Sequence, residues 1–428
     1  DAVSFGGWSI DLHPADGIFS ELPACNQWYA RGVYQLPYRM MYSKAIDNLF
    51  LAGRIMSASH VALGSIRVMA TLASAAQAVG MAAAYCSQHK LLPRDISQPD
   101  RIALLQRDLM RAGQYIPGFK LDDPEDLVQA ARLSASSELV LTALPDNGPA
   151  LALAHPVAQL LPLPAGKVAG ISFVVDAAKP TALRAELRAS QRTGNFTPDV
   201  VLDAVEIDLD AGDNQTVTFD FSASLDVPQY VFVCLMDNPA VSVHRSEQRV
   251  TGLLAVRRRR TQQPPADIGV DTFEFWTPWR RPAGQNLAFA LDTPLTGFGV
   301  ENVTNGLNRP TTGANAWIAA FDDAAPRLTI EWETPQSIRE IVLMFDTDYD
   351  HSMESTLLGH PENVMPFCVK RYRLLTCDDT VLADVSDNHQ TRNRIVLAEP
   401  IETRGLKLEL LATHGNPPPA LFSIRCYS

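Results

Sequence analysis

The segment from Asn48 to Ala84 holds residues whose types and spacing could do chemistry. Asn48-Leu-Phe-Leu-Ala-Gly-Arg54 reads as a short buried strand stopped by Gly53, and Gly64-Ser65-Ile66-Arg67 reads as a helix start. Glycine permits close backbone approach, and the unpaired N–H groups of a helix start favour an anion or an electron-rich carbonyl. Ser65 is the expected N-cap, its hydroxyl accepting from a first-turn N–H. On pattern alone the same residues make a buried strand–loop–helix unit with an alanine-rich packing helix. His60 lies just before the expected cap, where an imidazole can act as acid or base or orient a substrate. Its other reading, shared by His13 before Pro14, is a loop histidine bonded to backbone. Asp346-Thr-Asp-Tyr-Asp350 imitates the start of a calcium loop, but His351 and Leu357 stand where an EF-hand needs Gly and Glu. A solvated strand end is the expectation there. The sequence contains no G-x-G-x-x-G, P-loop, H-E-x-x-H or G-x-S-x-G.

The elements that must position these residues fall into three regimes along 428 residues. Residues 1–135 carry helical patterns. Ile66 to Ser87 reads as one long helix crowded with small residues, Pro99 to Ala112 as an amphipathic helix ended by Gly113, and Pro124 to Leu133 as a third helix. The apolar stripe of the second is Ile102, Leu105, Leu109 and Met110. Residues 136–262 and 268–428 change to alternating apolar runs separated by turns, the pattern of β-sandwiches. Pro145 to Pro164 and Thr261 to Asp267 read as seams.

Composition excludes several classes. A net charge of −12 repels phosphate backbones, so nucleic acid is not an expected partner, and Arg257 to Arg260 reads as a solvated strand end. Six isolated cysteines give neither a disulfide scaffold nor the usual zinc spacing. The amino terminus is no signal peptide, and its lack of an initiator Met is read as a start after a cleavage. Val61 to Cys86 is mostly alanine and glycine and is broken by Arg67 and Gln77; no membrane span is expected, a central charge costing at least about 2.5 kcal/mol.

Six motifs occur in order: Gly6-Gly-Trp-Ser-Ile-Asp-Leu-His-Pro14, Tyr34-Gln-Leu-Pro-Tyr-Arg39, Asn48 to Arg54, Ser57-Ala-Ser-His60, Gly64-Ser-Ile-Arg-Val-Met69 and Gln77-Ala-Val-Gly80. This run resembles bacterial FAD-dependent oxidoreductases of the glutathione-reductase-like fold. The resemblance implies that Ala52, Gly53 and Arg54 close on the flavin and that Ser65, Ile66, Arg67 and Val68 set helix N–H groups against its ring. It places His13, His60, Tyr38 and Arg39 on the substrate side, with His60 or His13 assisting proton transfer as a hydride passes from a small substrate to FAD. Such enzymes begin with a strand, a G-x-G-x-x-G loop and a helix that cradles the FAD pyrophosphate. The expectation is therefore the carboxy-terminal portion of such an enzyme, partnered by an amino-terminal FAD-binding polypeptide.

Val303-Thr-Asn-Gly-Leu-Asn-Arg-Pro310, Asn315-Ala-Trp317, Arg327 to Trp332 and Phe422-Ser-Ile-Arg-Cys426 resemble a discoidin-like, galactose-binding-type sandwich. Trp317 and Trp332 are core residues or sugar-stacking platforms. The expected architecture is an α/β or α+β partial FAD-binding domain (1–135) followed by two mainly antiparallel β-sandwich domains (136–262 and 268–428). A sugar or polyol-like substrate is expected from the sandwiches, and the alternative is a non-catalytic carbohydrate-binding or interaction protein. No metal is expected.

Overall fold

A computed structural model describes residues 1–28, 32–192, 197–262, 273–278, 286–347 and 364–428. The first region pairs β1 (Ala2–Gly6) with β4 (Tyr34–Pro37), and β2 (Ile10–Leu12) with β3 (Asn26–Trp28). Three helices follow: α1 (His60–Ile66), α2 (Met69–His89) and α3 (Pro99–Arg111). Their core gathers Val3, Leu36, Tyr38, Met41, Ala75, Ala78, Ala82, Leu105 and Leu109. α3 forms as its sequence dictates, with Ile102, Leu105, Leu109 and Met110 buried. Gly113, at φ +97°, ends it: Gly113 N–H donates to Met110 O and Gln114 N–H to Leu109 O, closing the last turn.

Several local expectations are corrected. The helix expected to run unbroken from Ile66 is split, because Val68 is extended between α1 and α2. Ser65 caps nothing: its hydroxyl donates to Trp8 O (2.6 Å) and accepts from Tyr34, so long-range partners occupy the group that would have capped. The cap of α1 is Ser59, which accepts from Ala62 N–H. Asn48 to Arg54 is not a strand. Phe50 makes a single bridge to Tyr42, and Gly53–Ile55 is a 3-10 turn. Pro124 to Leu133 is not an α-helix: it holds a 3-10 turn, Leu127–Ala130, and the start of a strand, because Asp126 caps Val128 N–H and also accepts Cys426 N–H (3.0 Å) from the far end of the chain. Strand Arg132–Ala135 then pairs with Arg327–Met344.

The middle of the chain is two facing antiparallel sheets. One is built around Ile171–Ala177, whose Ile171, Phe173, Val175 and Ala177 are buried in strict alternation. The other runs in the order 200–209, 181–189, 229–235, 157–163, 254–262, 273–278. The Pro-rich stretch read as a seam supplies two of these strands, Gly148–Leu153 and Val157–Leu163. Pro162 is tolerated because pairing with 254–262 stops at Leu160. Residues 286–295 also pair within the first of these sheets.

The last domain centres on two long strands, Arg327–Met344 and Arg392–Thr413. Pro335 falls in a register shift of the first, where a ladder bond is not needed. Among the described residues every strand pairing is antiparallel. By length and composition, α2 is apolar enough to cross a membrane. Here Ala75, Ala78, Val79 and Ala82 are buried in the first core.

Candidate active site

The site is built where α1 presses on β2. A Cβ on Gly64 would stand 2.9 Å from Asp11 O, so only glycine lets the helix approach this closely. Three groups converge on the Asp11 carboxylate. Arg67 Nη2 donates to Oδ2 at 2.9 Å, His13 Nε2 lies 3.4 Å from Oδ2, and the Cys25 thiol donates to Oδ1 at 2.7 Å. Burial pushes the Asp11 carboxyl up, but the Cys25 thiol, His13 and Arg67 more than offset this and hold it below the usual carboxylate range. The hydrogen bond to Asp11 pushes the Cys25 thiol up in turn. His13 Nδ1 donates to Ala24 O at 2.8 Å.

On the other side of α1 a cleft of roughly 490 Å³ is lined by Tyr34, Arg39, Met40, Ser57, Ala62 and Ile66, among others. His60, exposed on the first turn of α1, stands between the lining residues Ala58 and Ala62. Arg39 is exposed and paired with the Asp1 carboxylate. Tyr38 lies elsewhere: it is fully buried and its hydroxyl donates to Pro93 O at 2.8 Å, so it supports the core and does not line the cleft. Burial pushes its pKa far up.

Ala52 and Arg54 are exposed on either side of Gly53, whose φ is +73° and whose Cβ direction is open space. A backbone of this kind can lie flat against a bound group. The positive helix end is that of α2. Val68 provides no side-chain cap, the first turn carries no acidic residue, and Met69 is 82% exposed. The first-turn N–H groups of this 21-residue helix thus have no side-chain cap, at exposed Met69 and Ala70 and at buried Thr71. Ser65 and Ile66 are buried in the last turn of α1 and do not form this tip. These features fit a group with an electron-rich carbonyl.

Sequence reasoning found both histidines but missed Asp11 and Cys25. Reading Ile10-Asp-Leu-His13 as a strand would have put Asp11 and His13 on one face. Gln77 lines a second cavity of about 400 Å³ shared with Gln114, Arg309 and Arg392. Of the calcium-like segment, Asp346 is buried and accepts from Thr251 Oγ1; residues 348–351 lie outside the described residues. Trp317 and Trp332 are both buried, with indole N–H groups donating to Ser137 O and Leu127 O. They offer no sugar-stacking platform.

No curated protein matches the sequence. Among solved structures, the family 32 carbohydrate-binding module of Streptococcus pneumoniae EndoD is similar at 17% identity and a TM-score of 0.24, over 31% of this chain and 86% of that one. The family 32 module of C. perfringens NanJ, solved with galactose, is similar at 11% identity and a TM-score of 0.22, over 30% and 82%. Residues 1–109, which hold Asp11, both histidines, the cleft and the open end of α2, match the family of FAD dependent oxidoreductases.

Proposed function

We propose that this chain is the carboxy-terminal portion of a flavin-dependent oxidoreductase that oxidises a small sugar- or polyol-like substrate, with the nucleotide-binding half supplied by polypeptide outside this sequence. The family match over residues 1–109 carries the reading. The open backbone at Gly53 and the uncapped start of α2 support it. So does one face of α2, where Ala73, Ala76, Gly80 and Ala84 are exposed, an apolar stripe suited to a covering partner.

FAD, when bound, supplies an acceptor for a substrate hydride at N5. The N–H groups of Met69, Ala70 and Thr71 stabilise negative charge set against them. Arg39 gives the cleft a cation that can hold a polar substrate. His60 takes the hydroxyl proton as the carbon is oxidised, since His13 is already tied to Ala24 and Asp11.

The test is an absorbance spectrum. Protein isolated from its native source is expected to show the two visible and near-ultraviolet bands of oxidised flavin, and the 428-residue chain alone, mixed with FAD and desalted, is expected to be nearly colourless. A colourless native protein overturns the flavin reading. A stable yellow 1:1 complex of the chain alone overturns the requirement for a second half.

A further inference from the structure

We propose that Asp11, His13 and Cys25 form a transition-metal site of the zinc type, with three protein ligands and a fourth position open to solvent. The strand frame sets the three residues together. Asp11 in β2 and His13, one residue past its end, fall on one side of the chain by alternation, and β3 runs antiparallel with Leu12 opposite Asn26. Continuing that register by one residue places Cys25 across from His13. One ligand atom from each residue lies within 4.8 Å of the others. A tetrahedral site with bonds of about 2.0–2.3 Å separates its ligands by about 3.3–3.8 Å, and His13 Nε2 already stands 3.4 Å from Asp11 Oδ2.

The ring orientation is the second observation. A carbonyl oxygen only accepts, so the bond to Ala24 O holds a proton on Nδ1 and turns Nε2 toward Asp11, where a metal would take the place of any proton it carries. Metal-bound histidines are typically held this way, their other N–H on a backbone carbonyl. Arg67 Nη2 donates to Oδ2 of Asp11, as an outer-shell group does for a ligating carboxylate. On binding, the Cys25 S–H bond breaks, its proton goes to solvent and the thiolate sulfur bonds the metal. No oxidant or reductant is needed. The donor set of thiolate, imidazole and carboxylate suits Zn²⁺ and, as a spectroscopic substitute, Co²⁺. The site stands on the geometry of β2 and β3 and holds whether or not the flavin reading does.

The probe is Co²⁺ added to the chelator-treated 428-residue chain. One equivalent is expected to bind with a sulfur-to-cobalt charge-transfer band that one equivalent of Zn²⁺ abolishes. Cys25→Ser is expected to remove the band, His13→Ala to weaken Zn²⁺ binding at least tenfold, and Cys377→Ser to change neither. Cys25 and Cys377 are both exposed, so neither variant disturbs a core. Zn²⁺ is also expected to slow alkylation of Cys25 while leaving Cys377 unaffected. Absence of the charge-transfer band, its persistence in Cys25→Ser, or equal alkylation of Cys25 with and without Zn²⁺ overturns the site.

Discussion

Gly306→Ala is the substitution that most directly probes how the first region is seated on the last domain. Gly306 has φ +80°, and a Cβ there would stand 2.2 Å from Leu121 O and 3.0 Å from Leu121 N. The same two residues are joined by a hydrogen bond from Leu121 N–H to Gly306 O at 2.8 Å. No side chain can swing aside, because the atoms met are backbone. A non-glycine residue held at positive φ costs about 1–3 kcal/mol, overpacking costs about 1–3 kcal/mol, and a lost hydrogen bond costs about 0.5–1.5 kcal/mol. The reduced freedom of the unfolded chain returns only about 0.4–1 kcal/mol. A net loss of about 3–5 kcal/mol is expected, a large share of the roughly 5–15 kcal/mol that holds a domain together. Urea unfolding followed by tryptophan fluorescence measures it. Gly313→Ala is the control: its Cβ would meet only Asn315 Oδ1 at 3.9 Å, and a change within about 0.5 kcal/mol is expected. Gly306→Asn tolerates the dihedral but keeps the clash, so it should remain about 2 kcal/mol or more below the parent. A Gly306→Ala protein within about 1 kcal/mol of the parent, on the order of the control's scatter, would refute the close approach.

His244 lies between Asp146 Oδ2 (2.7 Å) and Asp176 Oδ1 (2.9 Å). Burial pulls its pKa down, but the two carboxylates more than offset this and hold it above the ordinary value. The charged ring therefore stabilises the fold fully below the unfolded value of about 6.5, and this contribution disappears as pH rises through the raised folded value. His244→Gln should cost about 1–2 kcal/mol at pH 5.5 and clearly less at pH 9, by urea midpoints; a pH-independent difference contradicts this. Arg425 is 3% exposed, and none of its three guanidinium nitrogens has a hydrogen-bond partner among the described residues. Arg425→Met removes a buried guanidinium whose nitrogens make no hydrogen bond and is expected to raise stability by about 1–3 kcal/mol in thermal or urea melts, whereas a clear loss would mean that its attraction to the Asp126 carboxylate outweighs its desolvation.

Legibility in the sequence followed the range of the interactions. α3 could be read because its stripe, its last turn and Gly113 all act within a few residues. α2 could be read as a helix from its composition, but not its start, since the Ser65 hydroxyl is taken by Trp8 and Tyr34 from distant segments. Pro162 and Pro335 look like breaks until the ladders around them show positions that need no N–H. The alternating strands of the middle domain are visible, whereas the full length of Arg327–Met344 is not, because a register shift interrupts its period at Pro335. In the site, His13 and His60 declared themselves by type. Asp11 and Cys25 did not, because their meaning comes from a three-residue pairing of β2 and β3 too short to leave a pattern.

The last sandwich has a role that needs no ligand. The first region owns only two-stranded ladders among the described residues, and such ladders are marginal alone. The segment after α3 is accordingly stitched to the far domain. Arg111 Nε donates to Asp123 at 2.6 Å while its guanidinium stacks over the Tyr427 ring, and Tyr427 donates to the same Asp123 at 2.8 Å. Asp126 accepts from Cys426 N–H, and Arg132–Ala135 extends the last sheet through Arg327–Met344. The two tryptophans complete the pattern. Each buries its ring in the last domain's core and directs its indole N–H into the connecting segment, Trp332 to Leu127 O and Trp317 to Ser137 O. Both indoles are thus committed to holding the segment that connects residues 1–109, matched by the FAD dependent oxidoreductases, to the sheets of the last domain.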